Sequence, residues 1–162
     1  MNLNFLIFFF LNLGGVKISK KVLFICTGNT CRSPMAEYFF NEITKDNNEY
    51  TAISAGILKT SGNKSNSIAI KVMNENNIDL TSHKSQEITS DLLKEVEYVV
   101  CLEDFHLNYL LKYFPQYDEK YMMLSTNNIA NPHGGDYRIY KDTSVEVENA
   151  VKDFIKNELK FN

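Results

Sequence analysis

From Lys21 onward, short apolar runs alternate with longer segments whose apolar residues recur every three or four positions. Lys21 to Cys26, with Val22-Leu23-Phe24-Ile25 at its centre, reads as a strand covered on both faces, because no polar residue interrupts the run. Ser33 to about Asn48 places Met35, Ala36, Phe39, Phe40 and Ile43 on one side of a helix. Tyr50 to Ser54 predicts a second short strand, ended by Gly56. Asn66 to Asn77 predicts a helix with Ile68, Ile70, Val72 and Met73 at its apolar positions. A short helix over Ser90 to Glu95 precedes a third strand, Tyr98 to Leu102. Glu103 to Phe114 is helical and stops before Pro115, and Lys120 to Leu124 is a fourth strand. Asp142 to Leu159 closes the chain as a long helix, with Val145, Ala150, Val151, Phe154, Ile155 and Leu159 as its buried stripe. Strands alternating with helices argue an α/β fold with a parallel sheet and right-handed crossovers. No repeat or low-complexity linker divides the 162 residues into two domains.

Between the first strand and the first helix stands Cys26-Thr27-Gly28-Asn29-Thr30-Cys31-Arg32-Ser33. A strand that ends in a Gly-containing loop and feeds a helix start turns backbone N–H groups toward an anion, with the helix dipole adding positive charge. Ser33 suits an N-cap and Pro34 the first helical position. A cysteine at the strand end supplies a thiolate, which is the nucleophilic form. Arg32 can clamp two oxygens of a tetrahedral oxyanion with its planar fork. These residues read as a cysteine-dependent phosphatase. The competing reading is a tight strand-to-helix turn whose cysteines only pack.

Composition narrows the setting. A formal charge of −3 gives no electrostatic case for nucleic acid or an anionic membrane. Three cysteines, Cys26, Cys31 and Cys101, form neither a secretory framework nor a zinc spacing, so a reduced, cytoplasmic protein without metal is expected. Residues 1–19 form an apolar N-terminal extension. Its run over residues 3–13 is too short to span a bilayer as a helix, and it lacks both a basic start and a small-residue cleavage site. The expectation is an upstream start in an AT-rich gene, with membrane contact only if residues 3–13 are genuine.

Val22 to Glu37 resembles the phosphate loop of the low-molecular-weight protein tyrosine phosphatase family. The resemblance runs from about Lys20 to the end through Ser54-Ala55-Gly56, Ile78-Asp79-Leu80 leading to His83, and Asn131-Pro132-His133-Gly134-Gly135. The loop is most similar to the bacterial branch that includes protein-arginine phosphatases. The resemblance implies one α/β domain over residues 20–162, with a four-stranded parallel sheet flanked by helices on both faces. It implies a phosphorylated protein as partner and no cofactor. Cys26 would attack phosphorus and form a phosphocysteine. The N–H groups of Thr27, Gly28, Asn29, Thr30, Cys31 and Arg32, with the Arg32 side chain, would hold the equatorial oxygens. Ser33 would donate to the Cys26 sulfur. Asn29, at a bend that tolerates positive φ, would be held by a network mapping to Ser33, Ser54 and His83. Alternatively, Ser54 and His83 are ordinary capping or turn residues.

The resemblance also implies a protective Cys26–Cys31 disulfide on oxidation, against a reading of Cys31 as a small buried residue. Cys101 reads as core. Thr30 stands where the family's tyrosine phosphatases carry a bulkier apolar residue, and a threonine there accompanies phosphoarginine preference; the alternative is a neutral replacement. The departure is Asn131, where the family places the Asp that protonates the leaving group. An amide has no proton to give, so the acid step is expected to be impaired. An engineered substrate trap, a natural binding-only protein, and replacement by Asp136 or His133 all remain open. His133 follows Pro132 where an aromatic is usual, and could stack on substrate or bond to phosphate. Arsenate reduction on the same scaffold needs a downstream cysteine relay, for which only Cys101 is available, and Pro34 replaces the usual Gln.

Overall fold

The structure, a computed structural model, describes residues 19–59 and 61–160; the expectations for residues 1–18 lie outside them. Strand β1 (Lys20–Cys26) takes the centre of the fold because Val22 to Ile25 have no exposed face. It pairs in parallel with β2 (Tyr50–Gly56) on one side and β3 (Tyr98–Cys101) on the other, and β3 pairs with β4 (Tyr121–Met123). The sheet order is β2-β1-β3-β4. Val22 and Phe24 enter one core with residues of α1 (Arg32–Ile43), α2 (Ser67–Asn74) and α5 (Tyr137–Phe154). Leu23 and Ile25 enter the other, beneath α3 (Ser90–Lys94) and α4 (Asp104–Tyr113). The sheet is thus four-stranded, parallel and covered on both faces. The chain leaves β1 for one side and later returns to its other side, so a crevice opens at the C-terminal end of β1.

Several boundaries differ from the expectations. Helix α1 ends at Ile43 rather than near Asn48. The Thr44 hydroxyl donates back to the Phe40 carbonyl, and the Asn47 side chain accepts from the Glu49 N–H, an Asx turn leading into β2. Ile43 is consequently exposed. Strand β2 runs two residues past Ser54, since Ala55 and Gly56 pair with Ile25 and Cys26. Helix α5 begins at Tyr137, five residues before Asp142, because the Asp136 side chain caps it by accepting from Ile139 N–H at 3.1 Å. The buried stripe is Tyr140, Thr143, Ser144, Val147, Ala150, Val151 and Phe154. Val145 lies off that stripe and is exposed. Helix α2 starts after an Asn66 cap and buries Ala69 with Val72 and Met73, while Ile68 and Ile70 are only partly covered. Among the described residues, no helix is long and apolar enough to cross a membrane.

Candidate active site

Residues 27–31 wrap around the end of β1, and the direction of their peptides decides what they can bind. The carbonyls turn outward and are held by the surrounding protein. Cys26 O accepts from Ile57 N–H, Thr27 O from Leu58 N–H, Thr30 O from Asn66 N–H and Cys31 O from Met35 N–H. Asn29 O accepts from His83 Nε2 at 3.0 Å. With the carbonyls out, the N–H groups face the concavity. Those of Gly28, Thr30 and Cys31 donate to no acceptor among the described residues, leaving a ring of donors for an anion. Gly56 is needed beside this loop, since a Cβ there would stand 2.8 Å from Thr27 O and 3.0 Å from Asn29 N.

The sulfur of Cys26 lies in this ring, buried, accepting from Ser33 Oγ at 2.9 Å and Asn29 N–H at 3.3 Å. Two donors aimed at one sulfur suit a negative charge on it. Ser33 is therefore not the N-cap. Helix α1 starts at Arg32, with Ser33 and Pro34 in its first turn, where the Pro nitrogen has no helical partner to lose. Asn29 orders the hydroxyl. It has φ of +53°, and its Oδ1 accepts from Gln86 N–H at 2.9 Å, which settles the amide orientation. Its Nδ2 then donates to Ser33 Oγ at 2.9 Å and to Ser54 Oγ at 2.8 Å. Each serine accepts that bond and is left to donate, Ser33 to Cys26 and Ser54 to Glu37 Oε2. Because a carbonyl only accepts, His83 carries its proton on Nε2. Burial draws its charged form down, opposed by that bond to Asn29. Glu37, 3.9 Å from His83 Nδ1, is pushed up to about 7 by burial, against the opposing bonds from Ser54. Ser33, Ser54 and His83 are thus brought together around Asn29.

A second group backs the other side of the loop. Arg32 is 1% exposed, and its Nη1 donates to Ile129 O at 2.7 Å and to Glu103 Oε2 at 2.8 Å. The same carboxylate oxygen lies 3.3 Å from His106 Nε2, which is 3.0 Å from the Thr27 hydroxyl. Burial, then the Arg32 charge, lower His106 to about 4. Its Nδ1 has no hydrogen-bond partner among the described residues. The folded value lies below the unfolded 6.5, so this histidine's contribution to stability is present above pH 6.5. It is lost as pH falls through about 4, on the order of 3 kcal/mol in all. Glu37 runs the other way: its folded value is raised, so its contribution is complete below 4.5 and lost as pH rises through about 7. Urea unfolding at pH 7, 5 and 4 is expected to show a shallower acid loss in His106→Gln than in the unmodified protein, with Glu37 acting equally in both. Parallel pH curves would mean that His106 is not held neutral by the fold.

The crevice over the loop is a cavity of about 180 Å³ lined by Cys26, Thr27, Gly28, Thr30, Cys31, Arg32, Leu58, Asn131 and His133. Thr30, Asn131 and His133 therefore all face this one crevice. Asp136 is not among the lining residues; its carboxylate is occupied in capping α5. Cys31 is buried beside Tyr140 Oη at 3.6 Å, and burial raises its thiol. Cys101 is a core residue of β3, pushed up to about 12 by burial. Sequence reasoning assigned no role to Glu37, Leu58, Gln86, Glu103, His106 or Ile129. Glu37 alone carried a local signal, lying one helical turn after Ser33. Among the described residues, no group of three or more His, Cys, Asp or Glu could hold a metal ion.

Sheet order, crevice and loop together define a doubly wound α/β protein that presents a buried cysteine inside an oxyanion cradle. A family model, low molecular weight phosphotyrosine protein phosphatase, matches residues 21–162. A protein-arginine-phosphatase of Bacillus subtilis (strain 168) is 31% identical over 142 residues, covering 83% of this chain and 94% of that protein. The crystal structure of a low molecular weight protein tyrosine phosphatase from T. tengcongensis is similar, with a TM-score of 0.81 and 32% identity, covering 85% of this chain and 99% of that one. An arsenate reductase of Staphylococcus saprophyticus is 45% identical over a shorter stretch of 83 residues, 51% of this chain and 60% of that protein. The chain belongs to the low molecular weight phosphotyrosine protein phosphatase family.

Proposed function

We propose that the protein is a cysteine-dependent phosphoprotein phosphatase that hydrolyses phosphotyrosine or phosphoarginine through a phosphocysteine on Cys26. The observation that carries this reading is the loop's orientation: outward carbonyls, inward N–H groups, and a sulfur at the centre that accepts two hydrogen bonds. Three equatorial phosphoryl oxygens match that ring of donors, and Arg32 is held at its edge by Glu103 and Ile129. Cys26 attacks phosphorus opposite the leaving group. The Ser33 hydroxyl stabilises the sulfur before attack and again when the phosphocysteine is hydrolysed. Asn131 cannot carry the proton steps. Cys31 lines the same pocket and would form a disulfide with Cys26 on oxidation, giving a reducible state in place of irreversible sulfur acids.

The partial likeness to an arsenate reductase raises a relay reading, which the geometry opposes. Cys101, the one cysteine downstream of the loop, is fully buried with its thiol pushed up to about 12, so it cannot pass a disulfide outward. A binding-only protein is separated by experiment. Turnover of p-nitrophenyl phosphate and phosphopeptides supports the phosphatase; phosphopeptide affinity without turnover supports the binder.

Thr30 bears on the substrate. It lines the pocket half-buried, with its hydroxyl directed toward Cys31 at 3.7 Å. A larger apolar side chain there would add wall for a phenyl ring and remove a polar group. Thr30→Ile is expected to lower the ratio of phosphoarginine to phosphotyrosine peptide turnover by about tenfold, the scale of one altered pocket contact. An unchanged ratio would leave Thr30 a passive loop residue and remove the case for arginine.

A further inference from the structure

The two displacements at phosphorus each require a proton to move, and the pocket holds few groups able to move one. Among the described lining residues there is no Asp or Glu. Cys26 is the nucleophile. Arg32 is anchored on Glu103 and Ile129 as a hydrogen-bond donor. Cys31 is a buried thiol bonded to Tyr140, and Thr27 and Thr30 offer only hydroxyls. The Asn131 carboxamide does not titrate. Carboxylates just outside are committed elsewhere: Glu103 between Arg32 and His106, Asp136 on the α5 cap, Glu37 behind the loop on Ser54. His106 lies beneath the loop, fully buried. His133 remains.

The loop that carries His133 is built to a fixed shape. Asn131 Oδ1 accepts from His133 N–H at 3.2 Å, folding an Asx turn over the buried Pro132. Gly135 N–H donates to Pro132 O at 2.8 Å, and Gly134 takes φ of +83°, a conformation that favours glycine. A Cβ on Gly135 would meet Ile139 side-chain atoms at 2.9–3.0 Å, so the loop also lies close against α5. Asn131 therefore acts as a positioning residue, setting the imidazole at the mouth of the pocket while offering no proton itself.

We propose that His133 is the acid and base of the reaction, a reading that rests on the phosphatase function above. As the Cys26 sulfur bonds to phosphorus, the P–O or P–N bond breaks. Its electron pair goes to the leaving atom, which takes the proton of the His133 imidazolium. Neutral His133 then accepts a proton from water as the water oxygen bonds to phosphorus. The P–S bond breaks, its electron pair returns to Cys26 as thiolate, and phosphate leaves with His133 protonated again.

The test compares a poor leaving group with a good one, using phenyl phosphate and p-nitrophenyl phosphate. His133→Ala and His133→Gln are expected to lose about 100-fold or more on phenyl phosphate beyond whatever they lose on p-nitrophenyl phosphate. Asn131→Asp placed in the His133→Ala protein is expected to recover the phenyl phosphate rate by supplying a carboxyl. Asn131→Asp alone is expected to shift the ratio of the two rates by less than about tenfold, because an acid is already present. Equal losses on both esters in both His133 variants would overturn the proposal. So would a gain of about 100-fold or more on phenyl phosphate from Asn131→Asp alone, which would mean that the unmodified pocket has no acid. If the unmodified protein binds vanadate yet hydrolyses neither ester, the phosphatase reading fails and this proposal with it. Equal losses in an active enzyme remove His133 only.

Discussion

Cys26→Ser is expected to abolish turnover, a loss of about 10,000-fold or more, while the protein still binds inorganic phosphate or vanadate. The two effects separate because different atoms carry them. The cradle is held open by bonds from Ile57, Leu58, Asn66, Met35 and His83 to the loop carbonyls, and none of these involves the sulfur. A serine hydroxyl in its place can still meet Ser33 and Asn29, but it remains protonated at neutral pH and is a poor nucleophile. Stopped assays on p-nitrophenyl phosphate read the first effect, and phosphate-dependent protection against thermal unfolding reads the second. Substantial hydrolysis by this variant would remove Cys26 from its role. Loss of both turnover and anion protection in a folded protein would mean that the sulfur itself shapes the cradle.

Arg32→Lys is expected to lower kcat by about 100- to 1,000-fold while the protein stays folded. Lysine keeps the charge, so the half-buried Glu103 carboxylate still faces a cation and the Ile129 carbonyl still faces a donor. What disappears is the planar fork, which can serve these anchors through one nitrogen and phosphoryl oxygens through the others. Arg32→Ala is a harsher change, because it strands Glu103 beside His106 and confuses catalysis with stability. The kcat of the lysine variant, measured beside its unfolding midpoint, separates the two. A kcat within tenfold of the unmodified enzyme would mean that the arginine only braces the loop.

The residues from Lys20 to Ser33 illustrate what one stretch of chain can carry alone. An uninterrupted apolar run is a strand covered on both faces, whatever covers it, because each residue's burial follows from its own side chain. The anion loop follows for the same reason: strand end, Gly28, a cysteine and a helix start are consecutive, so their geometry is local. Where a short polar side chain rather than the apolar pattern set a boundary, the reading slipped. The end of α1 depends on the Thr44 and Asn47 side chains turning back on the backbone, and the start of α5 on the Asp136 cap. Apolar periodicity sees neither. It extended one helix too far, began the other too late, and put Val145 on the buried stripe.

The sequence by itself determined the alternation of strands and helices, the cysteine and arginine at the two ends of the anion loop, and the lack of a carboxyl at position 131. Only the tertiary structure decided what surrounds them. Ile129 reaches Arg32 from 97 positions away, His106 reaches Thr27 from 79, and Gln86 reaches Asn29 from 57. Those contacts exist because the sheet order β2-β1-β3-β4 gathers the ends of β1, β2 and β3 at one crevice. Pattern within a few residues is written by turns of helix and pleats of strand, which repeat over short distances. Partners that meet across crossover connections share no such period, so strand order sets which distant side chains brace the loop around Cys26.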